Sequence, residues 1–292
     1  MHTAILKISL VFGLILSLNA SAPAAAAGSY DAAADYSKAH KGLAVVVLKG
    51  NKVVYERYDN GGEMNQPVGL ASGTKSFNCA TAVAAQVDGL LTLDEKAADT
   101  LTEWQSDPRK SQITIRQLLE YSSGIKGDEA EWKAAITSNV YADSVQAPAV
   151  YEPGAVYRYD PTQTSAYNEL LTRKLKVAGL KEDPLAYLTR RVFSPIGLSV
   201  GTWRRDVAGN PLMAGGAALT ARDWLKYGQL MLNKGTWNGK QILPADKLAE
   251  CVEPSATFAG YGLNWWLNAP VPKGQVTAQF QIPLDGRDMY PG

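Results

Sequence analysis

Ser72 and Lys75 stand three residues apart in Ala71-Ser72-Gly73-Thr74-Lys75-Ser76-Phe77. On a helix that spacing places both side chains on one face. The run that follows, Phe77 to Val87, has no charged side chain, which predicts a buried helix with Ser72 in its first turn. A serine hydroxyl is a poor nucleophile until a base takes its proton, and a desolvated lysine can do so. The chemistry this pair suggests is acyl transfer through a covalent serine intermediate.

The bare spacing is weak, because Ser123-Gly124-Ile125-Lys126 repeats it. The settings differ. Ser123 follows the helical pattern of Ile113 to Tyr121, at the end where orphan carbonyls and the negative dipole end oppose an alkoxide. Ser72 opens its helix, where free N–H groups and the positive dipole end favour one.

Other catalytic classes find little material. There are two histidines, His2 and His40. His2 falls in an N-terminal segment of secretory type, and His40 lies between lysines in a context that predicts a solvated surface residue. A zinc site needs three or four clustered ligands, whereas His40, Cys79 and Cys251 are scattered. No metal and no cofactor are expected. Cys79, inside the apolar helix, is expected to be a buried free thiol rather than half of a disulfide with Cys251.

The elements around the pair can be placed by pattern. Lys7, the apolar run Ile8 to Leu18 and the alanine-rich Ala20 to Ala27 predict a signal peptide over residues 1–27, with cleavage near Ala27 and export to a bacterial periplasm. The apolar run is too short for a membrane span, which needs about 20 residues, so no membrane anchor is expected after cleavage. The 292-residue chain with 29 basic and 28 acidic residues becomes 265 residues with 28 of each once residues 1–27, containing Lys7, are removed. No basic block appears, and nucleic acid is not an expected partner.

Gly42 to Tyr58 predicts a β-hairpin about the turn Lys49-Gly50-Asn51. Gly89 is placed to end the apolar helix. A short helical stretch is expected from Leu93, another over Ile113 to Tyr121 and a weak one over Glu131 to Ser138. Tyr151 to Pro161 should be a turn and an extended aromatic segment, with Thr162 capping a helix to about Val177. Pro184 to Val192 predicts a helix, Gly215 to Leu219 a flexible loop, and Thr220 the cap of an amphipathic helix through Leu232. Pro244 to Val252 predicts a further helix. Tyr261 to Leu267 alternates like a strand. The expected fold class is α+β: an antiparallel sheet with flanking helices, built from residues 40–95 and 255–292, and an all-helical insertion over about 96–254.

Four segments together resemble the class C β-lactamase-related serine hydrolases, a family that includes DD-peptidases, esterases and amide hydrolases. They are Ala71 to Phe77, Ile113 to Ile125, Gly215 to Trp224 and Tyr261 to Trp266, in the family's order. The resemblance implies the α/β sandwich of β-lactamase/transpeptidase type. It implies an acyl-enzyme at Ser72, with Lys75 as proton acceptor or electrostatic partner. The family's tyrosine, counted from Pro153-Gly154, falls on Tyr159 in preference to Tyr157, although both could equally be core aromatics. Its phenol would relay the Ser72 proton to the leaving group. The implied substrates are small molecules with an ester, amide, β-lactam or peptide bond.

Two departures shift this expectation. Pro161 stands where the family has an asparagine, which leaves Thr162 or Gln163 to contact substrate and moves weight from β-lactams towards broader esters and amides. No Lys-Thr-Gly or equivalent follows Trp266, and Lys273-Gly274-Gln275 lies in a Pro-flanked stretch. The chain is therefore expected to be truncated near its third motif, with C-terminal strands missing and its competence in doubt. The competing reading is a non-catalytic relative that binds peptidoglycan or peptide ligands. Trp203 and Tyr157 either line the pocket or belong to the core.

Overall fold

A computed structural model describes residues 27–127, 137–272 and 275. The regions expected to form the signal peptide and the weak helix from Glu131 lie largely outside these residues, as does most of the chain beyond Pro272.

Helix α1 (Ala27–Ala39) leads into strands β1 (Ala44–Lys49) and β2 (Lys52–Tyr58), which form an antiparallel hairpin. Gly50 and Asn51, at φ 54° and 63°, make the tight turn. Both central residues are left-handed, the geometry whose twist matches that of paired strands. A register shift at Val47/Leu48 breaks the ladder once. Strand β3 (Val68–Gly69) then brings the chain to a 3-10 segment, Ala71–Ser76, which runs directly into α2 (Phe77–Val87).

Helix α2 is the centre of the molecule. Nine of its eleven residues are buried, Phe77 to Ala85. Phe77 meets Phe193 at 5.0 Å and Tyr227 at 4.6 Å between ring centroids. The Phe193 pair is edge-on and the Tyr227 pair tilted, and aromatic contacts at such distances add to simple area burial. Asp88 caps the helix and Gly89 leaves it at φ 69°.

The middle of the chain is helical. Short 3-10 turns precede α3 (Ile115–Leu119), which is closed by a reciprocal capping box between Thr114 and Gln117. That arrangement satisfies two donors at the helix start. Then follow α4 (Val140–Gln146), α5 (Pro161–Val177) and α6 (Pro184–Leu188), the last continuing through a π turn to Phe193. Strands β4 (Thr202–Trp203) and β5 (Ala217–Leu219) complete a three-stranded antiparallel sheet in the order β3-β5-β4. Helix α7 (Ala221–Leu232) is capped by Thr220, whose side chain accepts the Asp223 N–H. A small hairpin, β6 (Thr236–Trp237) with β7 (Lys240–Gln241), precedes α8 (Ala245–Ala249). Helices and small antiparallel sheets agree with the α+β class.

Four local expectations need correction. Asp160, not Thr162, caps α5, and Pro161 occupies the first helical position, where its missing N–H costs nothing. Residues 217–219 are not a flexible loop but the central strand β5. Tyr261 to Leu267 is not a strand: Asn264 sits at φ 60°, and the Gly262 N–H donates to the Trp265 carbonyl at 2.8 Å, folding the segment into a tight turn. Cys79 is not a free thiol. It is bonded to Cys251, with Cα atoms 5.7 Å apart across 172 residues of sequence. Packing of the Cys251 segment against α2 creates this proximity, which a linear sequence does not contain. Among the described residues no helix is long and apolar enough to cross a membrane.

Candidate active site

The 3-10 segment before α2 presents Ser72 to solvent and turns Lys75 inward. Lys75 is 1% exposed, whereas Ser72 is exposed. Their functional atoms, Nζ and Oγ, lie 3.0 Å apart. Ala71, immediately before the serine, has φ 45°. That left-handed region costs a residue with a side chain roughly 1–2 kcal/mol, and it makes the sharp entry that lifts Ser72 out of the surface.

The Lys75 amine is held from a second side by the Ala214 carbonyl, at 2.5 Å. Burial removes water from the ammonium and lowers its pKa to about 7. Desolvation disfavours a charged amine in just this way. Near neutral pH a substantial fraction of Lys75 is therefore the neutral amine, the form able to accept a proton.

Strand β5 positions both groups. The Leu70 N–H donates to the Ala217 carbonyl at 2.8 Å, and the Ala217 N–H donates to Thr74 Oγ1 at 3.2 Å. On the other side the Tyr227 hydroxyl donates to the Ser76 carbonyl at 2.8 Å. The Ser72–Lys75 segment is thus stapled to β5 and α7, elements far away in sequence.

The two tyrosines left open by the sequence separate clearly. Tyr157 is buried among Phe258, Tyr261 and Trp266, at 4.5, 5.2 and 6.2 Å between ring centroids. Tyr159 is half-buried, and its ring centroid is 5.1 Å from Lys75 Nζ. An ammonium over an aromatic face at this distance is attracted by the ring quadrupole. Tyr121 and Tyr261 meet the Tyr159 ring edge-on at 5.3 and 6.1 Å, and Trp266 lies 5.3 Å away. Ser72, Lys75 and Tyr159 are brought together. Trp203 joins the core beside Phe77, at 5.8 Å between ring centroids.

Gln163 is not brought to the pair in a form that binds substrate. Gln163 is 0% exposed. Its Oε1 accepts the Ser123 N–H at 3.1 Å and the Ser123 hydroxyl at 2.6 Å, and its Nε2 donates to the Arg158 carbonyl at 2.8 Å. The substrate contact expected of Gln163 is corrected to a structural one: its amide is already engaged on three sides. The same bonds explain the second Ser-x-x-Lys, since Ser123 is buried and bonded while Lys126 is exposed. The Thr162 side chain packs on Gly127, where an added Cβ would lie 1.9 Å from Thr162 Oγ1. Lys273 and Gly274, weighed as a third motif, lie outside the described residues.

Sequence reasoning missed Thr74, Asn78, Ala214 and Asn264. Asn78 carried a usable signal: a carboxamide within an otherwise apolar helical run must find partners, because buried polar groups are hydrogen-bonded. Ala214 acts through its backbone and leaves no mark on the sequence. The described residues contain no cluster of His, Cys, Asp or Glu able to hold a metal ion.

No curated protein matches the sequence. Solved structures do match the fold. A chain named "Putative 6-aminohexanoate-dimer hydrolase from Bacillus anthracis" aligns with a TM-score of 0.68 and 23% identity, covering 80% of this chain and 67% of that one. A D-stereospecific amidohydrolase from Streptomyces aligns with a TM-score of 0.60 and 17% identity, over 78% and 79% of the two chains. A beta-lactamase from Mycobacterium bovis aligns at 0.54 and 20%, over 79% and 72%. At these identities the likeness is one of fold. The beta-lactamase family model, in contrast, matches the sequence itself over residues 28–280. By that match the chain belongs to the beta-lactamase family.

Proposed function

We propose that this chain is a serine hydrolase that forms an acyl-enzyme at Ser72, with Lys75 and Tyr159 as proton-transfer partners. The observation that carries the reading is the 3.0 Å contact between an exposed serine hydroxyl and a buried lysine amine whose pKa lies at about 7. A base poised near the working pH combines the right protonation state with proton-transfer driving force.

In the acylation step the Ser72 O–H proton passes to the neutral Lys75 amine as Oγ bonds to the substrate carbonyl carbon. The carbonyl π pair becomes the oxyanion. The Ser72 backbone N–H, in the first turn of the helical run where intrahelical partners are missing, is a donor for it. Collapse breaks the bond to the leaving group, which departs with a proton delivered from Lys75 through the Tyr159 phenol. Water then repeats the cycle on the acyl-enzyme, releases the acid and restores Ser72.

The substrate is an ester or amide of a small molecule. The amidohydrolase among the fold relatives supports that class. Export, to a bacterial periplasm, is part of the same reading. Its support is the secretory pattern of residues 1–27 and the Cys79–Cys251 disulfide, since such bonds persist in oxidising compartments.

The test is labelling with a fluorescent fluorophosphonate between pH 5 and 9. Stoichiometric modification of Ser72, absent in Ser72→Ala, with a rate that rises through about pH 7 is the expected result. A folded protein that takes up no label, or a rate flat across that range, rejects the mechanism.

A further inference from the structure

Beneath Lys75 lies a set of buried amides that the reaction does not use directly. Asn78, 0% exposed, sits one turn after Lys75 on the same helical run. Its Nδ2 donates to the Lys75 carbonyl at 2.8 Å and to the Met213 carbonyl at 3.1 Å. The next carbonyl in the chain, that of Ala214, is the one that holds Lys75 Nζ. One carboxamide therefore grips both the backbone of the base and the loop whose neighbouring carbonyl aims it.

Asn78 is itself fixed. Its Oδ1 accepts from Asn168 Nδ2 at 2.8 Å, and its Nδ2 lies 3.2 Å from Asn264 Oδ1. Asn264 donates through Nδ2 and its backbone N–H to the Leu119 carbonyl, at 2.6 and 2.9 Å. Its Oδ1 also accepts from the Thr164 hydroxyl at 3.2 Å, and Thr164 Oγ1 is 2.6 Å from the Tyr121 hydroxyl. Tyr121 is the ring that meets Tyr159 edge-on. A continuous buried network thus runs from the backbone of Lys75 to the side of Tyr159, and its members come from α2, α3, α5 and the 261–266 turn. Its members pair with one another except at Asn168 Oδ1, which finds no partner among the described residues, and such pairing favours one geometry because each group left unpaired in a dry interior is costly.

We propose that Asn78, backed by Asn264, is the positioning residue of the active site. It holds the 213–214 loop against α2 so that the Ala214 carbonyl takes one N–H of Lys75 and the amine lone pair is left facing Ser72 Oγ. Asn78 touches neither substrate nor reacting atoms and acts through Ala214. The inference rests on Lys75 being the base.

Two measurements separate the inference from that reading. In protein with 15N-labelled lysine, exchange of the Lys75 Nζ protons reports how firmly the amine is held, whether or not the enzyme turns over. Fluorophosphonate labelling, resolved into a binding constant and a maximal inactivation rate, reports the chemistry. In Asn78→Ala we expect at least tenfold faster Nζ proton exchange. We also expect at least a tenfold fall in the maximal inactivation rate, with the binding constant unchanged. A role in stability alone would lower the melting temperature and leave all three as they are. Should Asn78→Ala fail to fold, Asn264→Gly carries the same readouts, because glycine accepts φ 60° without strain and removes the carboxamide behind Asn78. Unchanged exchange and inactivation in a folded variant overturn the inference and leave the reading intact. If the native chain is not labelled, the reading falls and the inference that rests on it falls too.

Discussion

Replacing Lys75 by methionine should stabilise this protein at acid pH and destabilise it at alkaline pH. Methionine keeps the length of the side chain and removes its charge. In the folded protein burial holds the Lys75 pKa at about 7, whereas an unfolded chain returns it to about 10.4. Below pH 7 both states bind the proton, and the folded one carries a buried ammonium at full cost. At ~1.4 kcal/mol per pH unit of the gap, that cost is about 4–5 kcal/mol. Between pH 7 and about 10.4 the unfolded chain binds more protons than the folded one, so stability rises with pH. Above that window both states are neutral and the cost has gone.

Methionine escapes the cost at every pH but leaves the Ala214 carbonyl without its donor, a loss of about 1–3 kcal/mol. Lys75→Met should therefore be more stable than the native chain by about 1–4 kcal/mol at pH 6. It should be less stable by about 1–3 kcal/mol at pH 10.5, where only the lost hydrogen bond remains. Urea unfolding at half-unit steps from pH 6 to 10.5 gives the difference directly. A difference independent of pH, or a less stable variant at pH 6, would refute the claim that Lys75 is a desolvated base.

Three further outcomes follow from other parts of the structure. Tyr159→Phe should lower turnover of an unactivated amide by about 10²–10⁴, while labelling by a fluorophosphonate, whose fluoride leaves unprotonated, falls much less; equal losses would remove Tyr159 from leaving-group protonation. Gln163→Ala strips partners from the Ser123 N–H and the Arg158 carbonyl and should cost roughly 2–4 kcal/mol in urea unfolding with KM unchanged; a raised KM in a protein of native stability would return Gln163 to the substrate site. Cleaving the Cys79–Cys251 bond, which closes a loop across 172 residues, should cost about 4–5 kcal/mol, read as a lower urea midpoint for the doubly Cys→Ala variant. An unchanged midpoint would mean that packing alone holds the Cys251 segment on α2.

Local chemistry carried much of this protein in plain view. The run after Lys75 pointed to a buried helix because its eleven residues, Phe77 to Val87, carry no charge and are mostly apolar. Gly50-Asn51 specified the hairpin turn because few residues accept φ above zero. The Ser72/Lys75 pair needed only the three-residue spacing and a helix start, both local quantities. The failures came where a tertiary bond overrides the local pattern. Tyr261 to Leu267 has the alternation of a strand, yet Asn264 turns left-handed to donate to Leu119, and pattern alone does not record that tertiary bond.

What the sequence by itself determined was the pairing of Ser72 with the Lys75 amine and the α+β framework, since each follows from spacing and polarity along the chain. Only the tertiary structure decided the rest. Tyr159 stands at Lys75 and Tyr157 in the core because of how the aromatic segment packs on Tyr261 and Trp266. Cys79 pairs with Cys251 and Gln163 closes on Ser123 because remote segments meet. The Lys75 pKa of about 7 is likewise no property of its motif: it arises from the burial that β5, α7 and the 213–214 loop impose together, and desolvation exists only once a chain has folded around the charge.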